Sequence, residues 1–172
     1  MHEDVLKILA RRSVRTFTAA PVSDATVRTL LKAAMAAPSA RAKDPWHFIV
    51  VRNPSLLARI ADLLPNGRSI AKAPVGIVVC GDSNQANRKD ISYLLQDCSA
   101  AIENLLLAAS MMGLGACWLG VHPNRMRIDG LRQLFQVPPM IIPVAAIAIG
   151  HPRETLAART RFAETKVHKE IW

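Results

Sequence analysis

Arg11, Arg12 and Arg15 fall within five residues of one another, with the Ser13 hydroxyl between them. Guanidinium groups present planar forks of N–H donors that match phosphate oxygens, and a serine adds a short donor. Cations this dense repel one another in a folded chain unless an anion sits among them. The chemistry open to this stretch is therefore the holding of a phosphate. A solvated basic patch is the plainer alternative for the cluster taken alone. Arg159 and Arg161 form a second basic pair far along the chain, which taken alone reads as readily as a solvated tail.

Nothing else in the chain has the form of a nucleophile or a metal cage. Cys80, Cys98 and Cys117 are an odd number of thiols in apolar or helical contexts, the pattern of reduced, buried cysteines. Cys98 and Cys117 have no basic neighbour in sequence that would activate them. Of the five histidines, no two share a helix at ligand spacing and no acid cluster accompanies them, so no metal site is expected. His47 and His151 read as edge or loop residues.

At 172 residues the chain is long enough for one domain with a real core, taken here as residues 1–172. Its composition, 51% hydrophobic and 20% charged, is that of a globular protein, and with 5% aromatics the core must be aliphatic. A formal charge of +9 suits an anionic ligand or a nucleic acid equally well. The basic residues gather at 11–15, 41–43, 125–132 and 159–169 with no interleaved aromatics to stack bases, which argues against nucleic acid. Acids at Glu3 and Asp4 stand where an export signal would be positive. The apolar run 105–121 is interrupted by Gly113 and Gly115 and falls short of the ~20 residues of a membrane span. A cytoplasmic protein with no membrane contact is expected.

The elements that must position the arginines alternate between helix and strand. Val5, Leu6, Ile8 and Leu9 mark a helical face that ends at the arginine cluster. Ser23 and Asp24 can cap a second helix, with Val27, Leu30, Leu31 and Ala34 at helical spacing until Pro38. Trp46–Val51 reads as a strand, Pro54–Leu64 as a helix, and Pro65-Asn66-Gly67 as a turn. A second strand spans 75–80. A long helix follows over 90–112, with Leu94, Leu95, Cys98, Ala101, Ile102, Leu105 and Leu106 inward. Apolar on more than one side, it belongs at the centre of the molecule or at a subunit interface. Gly113 caps it, and a strand over 116–121, a helix over 127–135 and a strand over 143–149 complete the body. Without a Gly-rich strand-to-helix fingerprint, this order predicts an α+β sandwich rather than a Rossmann sheet.

Four separated stretches, in order, resemble the nitroreductase family of FMN-dependent oxidoreductases. Arg11-Arg12-Ser13-Val14-Arg15-Thr16-Phe17 is similar to its phosphate-contacting opening. Ala37-Pro38-Ser39-Ala40 with Pro45-Trp46-His47-Phe48 resembles its A-P-S-x-x-N-x-Q-P-W-x-F segment. Gly113-Leu114-Gly115-Ala116-Cys117-Trp118-Leu119-Gly120 resembles its G-L-G-x-x-W-x-G turn. Ile147–Pro152 with Arg159–Phe162 is similar to its last strand and basic C-terminal contact. Ala42 and Asp44 depart from the usual Asn and Gln of the second stretch, and Arg41 and Lys43 beside them favour an anionic substrate or cofactor.

The resemblance implies an α/β/α sandwich with a central mixed or antiparallel sheet flanked by helices, and a C-terminal tail exchanged within a homodimer. It implies FMN bound by Arg11, Arg12, Ser13, Arg159 and Arg161 at the phosphate, with Arg15 near the pyrimidine edge. Asn66 would join Arg15 at the ring, or serve simply as a turn residue. Pro38, Ser39 and Ala40 would reach the ring from the opposite subunit, and Leu119 and Gly120 by their backbone. The implied activity is hydride transfer from NADH or NADPH through FMN to a small electron-poor acceptor such as a nitroaromatic or quinone, by ping-pong turnover. A flavin-binding or flavin-processing protein of the same fold, without NAD(P)H turnover, is the alternative. The apolar end of the tail, Ile171 and Trp172, is expected to be covered by the partner.

Overall fold

The computed structural model describes residues 2–172. Its sheet grows from the most aliphatic runs of the chain. Four strands, β1 (Trp46–Val51), β2 (Val75–Asp82), β3 (Gly115–Gly120) and β4 (Ile141–Gly150), pair in the order β1-β2-β4-β3. Every pairing is antiparallel. β2 and β4, in the middle, are buried on both faces and so read as continuous apolar runs rather than alternating ones. Opposite Val79 and Cys80 the β2–β4 register skips one residue, so Val144 and Ala145 both serve the same core. Pro143 sits at this irregularity, where a missing ladder donor is tolerated.

Helices cover both faces. On one lie α2 (Asp24–Met35) and α5 (Ile91–Met111); on the other lie α3 (Pro54–Leu63), the short α4 (Arg68–Ala71) and α6 (Arg125–Phe135). The strand period of two divides the residues between them. Ile77 and Ile147 join the α2–α5 core, while Val78 and Ala148 join the α3–α4–α6 core. The caps follow the sequence: Ser23 Oγ accepts from Thr26 N at 3.1 Å, and Asp90 Oδ1 from Ser92 N at 2.7 Å. Gly113 ends α5 in the left-handed region at φ 72°.

The result is the expected α+β sandwich, with a wholly antiparallel sheet. Leu95 packs inward as expected, half-buried against the α2–α5 core, and α5 also buries Asp97 and Ala109. Two expectations shift. The helix expected over 127–135 begins at Arg125, because Asn124 caps it through a bond from Arg127 N. α4 was not foreseen. Among the described residues, no helix is long and apolar enough to cross a membrane.

The first helix, α1 (Glu3–Ala10), buries none of its residues: Val5, Leu6 and Ile8 are 42%, 49% and 51% exposed. The segment after it is held much more firmly. Val14 N donates to Ala116 O on β3 at 3.0 Å, and Thr18 N to His151 O at 2.9 Å. Val14 packs so closely on Gly115 that a Cβ there would lie 2.6 Å from Val14 Cγ1. The arginine cluster is thus mounted on the free edge of β3 and on the exit from β4.

Candidate functional site

Pinning residues 13–18 against β3 and β4 turns the arginines toward two adjoining cavities. The smaller, of about 400 Å³, is lined by Arg11, Arg12, Ser13, Arg15, Arg159 and Arg161. Two basic stretches that lie at opposite ends of the sequence therefore meet. Local pairing relieves part of their repulsion. Arg11 Nε lies 3.4 Å from Glu103 Oε1 on α5, and Arg12 Nη1 donates to the carbonyl of Ala157. Arg159 and Arg161 are exposed and, among the described residues, make no ion pair. An all-arginine-and-serine wall of this kind suits a phosphate monoester.

The larger cavity, of about 930 Å³, shares Arg15 with the first and is bounded further out by Asn66, Arg68, Ser69, Lys72 and Arg153. Asn66 therefore does stand across a cavity from Arg15, in the turn between α3 and α4. Ser69 is 5% exposed, and its Oγ has no hydrogen-bond partner among the described residues.

Pro38, Ser39, Ala40, Leu119 and Gly120 line neither cavity. The first three belong to a tight segment that is built with care. Ser39 Oγ accepts from Asp44 N at 2.9 Å and also bonds Asp44 Oδ1. Arg41, Ala42 and Asp44 all adopt left-handed backbone, at φ 56°, 50° and 48°. Such conformations are costly for non-glycine residues and persist only where the surroundings impose them. Here the imposing group is Asp97 of α5, 5% exposed, whose Oδ1 accepts from Ala40 N at 2.8 Å. Leu119 is buried under β3, whereas Gly120 is exposed at the strand end, where an added Cβ would meet nothing within 4 Å. Arg127 Nη1 donates to the Gly120 carbonyl at 3.0 Å and steadies that backbone.

The thiols are not part of this machinery. Burial pushes Cys80 and Cys98 up to about 12. Burial raises Cys117 too, against an opposing pull from Arg15 and Arg11, which the fold brings near it although none of its sequence neighbours is basic. Among the described residues no group of His, Cys, Asp or Glu could hold a metal ion.

Arg68, Ser69, Lys72, Arg153, Asp97 and Arg127 escaped the sequence reading. Arg68 and Ser69 directly follow the Asn66 turn and could have been included with it. Asp97 carried no signal beyond being an acid in an apolar helix.

Comparison with known proteins bears on family and fold. The family model described as "Nitroreductase family" matches residues 8–67 and 64–151. A protein of Methanothermobacter thermautotrophicus, provisionally named NADH dehydrogenase/NAD(P)H nitroreductase, is 43% identical over 170 residues, covering 98% of this chain and 88% of its own. A crystal structure of a Parabacteroides distasonis protein with the same provisional name superposes with a TM-score of 0.93 at 37% identity, covering 100% of both chains. A Desulfovibrio desulfuricans structure, described provisionally as a nitroreductase in complex with FMN, superposes with a TM-score of 0.84 at 30% identity, covering 100% of this chain and 99% of its own.

Proposed function

The chain belongs to the nitroreductase family, and on that premise we propose that it is an FMN-dependent oxidoreductase using NADH or NADPH to reduce a small electron-poor acceptor. The observation that carries this reading is the smaller cavity. Arg11, Arg12 and Ser13 from one end of the sequence and Arg159 and Arg161 from the other surround a space suited to one phosphate. Arg15 and Asn66, which line the adjoining larger cavity, also suit a ring with polar edges, so the residues present fit FMN.

When bound, FMN supplies hydride acceptance and donation at its N5 atom. The chain's own residues do the rest. The arginines of the smaller cavity neutralise the phosphate and fix the ligand's depth. Arg15, common to both cavities, would set a permanent cation beside the ring's pyrimidine edge and so raise its reduction potential. Asn66, lining the same larger cavity, would offer hydrogen bonds to that edge. Gly120, steadied by Arg127, lets the backbone approach the ring plane. The larger cavity offers one open space that donor and acceptor would occupy in turn, a ping-pong order.

We read residues 1–172 as one FMN-binding domain that works as a homodimer in a reducing, cytoplasmic setting. Residues 38–40 line neither cavity of the single chain, so a site that uses them draws them from a second subunit. Exposed apolar groups point the same way: Phe162, Ile171 and Trp172 are 68%, 81% and 98% exposed, and α1 presents Val5, Leu6 and Ile8. Surfaces of this kind call for a covering subunit.

The purified protein is expected to be yellow, to release FMN on denaturation, and to be bleached in stopped flow by NADH or NADPH. Colourless protein that takes up no added FMN would sink the reading. Bound FMN that neither nucleotide bleaches would leave a flavin-binding protein without NAD(P)H turnover.

A further inference from the structure

The larger cavity carries more positive charge than the flavin reading uses. Arg15 is committed to the ring edge, yet Arg68, Lys72 and Arg153 also line this cavity. No carboxylate lines it, and none of the three takes part in an ion pair recorded among the described residues. Arg153 is oriented by its Nε, which donates to Phe17 O at 2.8 Å and leaves the two terminal nitrogens of the guanidinium free. Arg68 opens α4 and Lys72 closes it, about one helical turn apart. Ser69 lies between them with its buried, unpartnered hydroxyl.

All three are exposed and unpaired, so a ligand with a second anionic group can meet them without displacing an existing ion pair. Resting on the flavin reading above, we propose that Arg68, Lys72 and Arg153 form an anion subsite for the molecule that exchanges hydride with the flavin. They would hold a phosphate or carboxylate oxygen that such a molecule carries away from its reacting atom. The subsite selects for charge at a distance from the chemistry, so it acts on binding and positioning rather than on hydride transfer itself.

The chemistry is shared by two sources, the phosphates of the pyridine nucleotide and a carboxylated acceptor, and binding to the oxidised, FMN-loaded protein separates them without turnover. Calorimetric titration would compare the parent with the double variant Arg68→Gln/Lys72→Gln, both changes being on exposed positions that tolerate glutamine. The ligands are NADP⁺ and NAD⁺ for the donor, and 4-nitrobenzoate against uncharged 4-nitrobenzyl alcohol for the acceptor. The expected result is an increase in Kd of tenfold or more for the anionic members of at least one arm, with 4-nitrobenzyl alcohol shifted less than twofold. Loss confined to the dinucleotides assigns the subsite to the donor, and loss confined to 4-nitrobenzoate assigns it to the acceptor. Changes below twofold throughout would overturn the inference, as would equal weakening of the uncharged alcohol. A double variant that no longer holds FMN would overturn it as well, since the cations would then belong to the flavin. That outcome leaves the proposed function standing, whereas a parent protein that binds no FMN refutes the function itself.

Discussion

Gly120→Val separates what the fold needs from what the ligand needs. A Cβ added at Gly120 meets no atom within 4 Å, and the residue lies in the extended backbone of β3, so the change is sterically free in the unliganded chain. An unloaded variant should keep its stability to within about 0.5 kcal/mol, as exposed substitutions generally do. The flavin reading puts a ring against that backbone at a van der Waals separation of roughly 3.5–4 Å. Two γ-carbons on Val occupy that gap and force the ring outward. Overpacking of this size costs about 1–3 kcal/mol, which weakens FMN roughly five- to a hundredfold. Quenching of flavin fluorescence on titration into apoprotein reads the affinity, and thermal melting of the same sample reads the fold. Gly81→Ala is the mirror control. Its Cβ would sit 2.5 Å from Leu94 Cδ2, deep in the α2–α5 core, so the melt should fall while FMN affinity at low temperature holds. Parent-like FMN affinity in Gly120→Val would refute the placement of the ring.

Arg161→Ala should weaken FMN about ten- to a hundredfold, the loss of one charge-assisted contact of roughly 1.5–3 kcal/mol, and should leave riboflavin binding far less affected; equal weakening of both would show that Arg161 does not read the phosphate. Asp97→Leu should free Ala40 N and unsettle the left-handed turn at 41–44, lowering stability by about 1–3 kcal/mol and FMN affinity with it, while Asp97→Asn retains the acceptor and most of both; the pair is scored by chemical denaturation and flavin titration. The folded-state thiols of Cys80 and Cys98 titrate near 12 rather than 9, so the folded chain keeps protons that the unfolded chain releases. Stability should hold below pH 9 and fall as pH rises toward 12, and Cys80→Ala/Cys98→Ala should flatten that slope in denaturant titrations. Removing residues 167–172 should loosen the dimer and release FMN together, and a full-length monomer that keeps FMN in light scattering would contradict the composite site.

Much of the fold was legible because its elements are periodic. β1 follows the apolar run Trp46–Val51 residue for residue, and α5 follows the pattern from Leu94 to Leu106 between an Asp cap and a Gly stop. α4 was not, since four residues hold no periodicity and its place depends on burying Ile70 in a core contributed by other elements. The left-handed residues Arg41, Ala42 and Asp44 carry side chains that ordinarily avoid that backbone; Ser39 ties the turn locally, and Asp97, more than fifty positions away, anchors it through Ala40 N. Both halves of the smaller cavity were visible as basic clusters. Their meeting was visible only through family resemblance, because nothing local in Arg159 or Arg161 says that Arg11 lies across from it.

That meeting makes nearly the entire chain a loop whose ends are joined at one small, positively charged space. No residue of 153–172 is buried, and apart from the turn at Glu164–Lys166 the segment has no regular structure. An anion seated among the arginines would act as its clasp, adding to the bond from Arg12 to the Ala157 carbonyl; without it, the arginines' repulsion would favour release of this end to proteases. Ligand occupancy would then set how long each molecule survives, through simple mass action on the closed form.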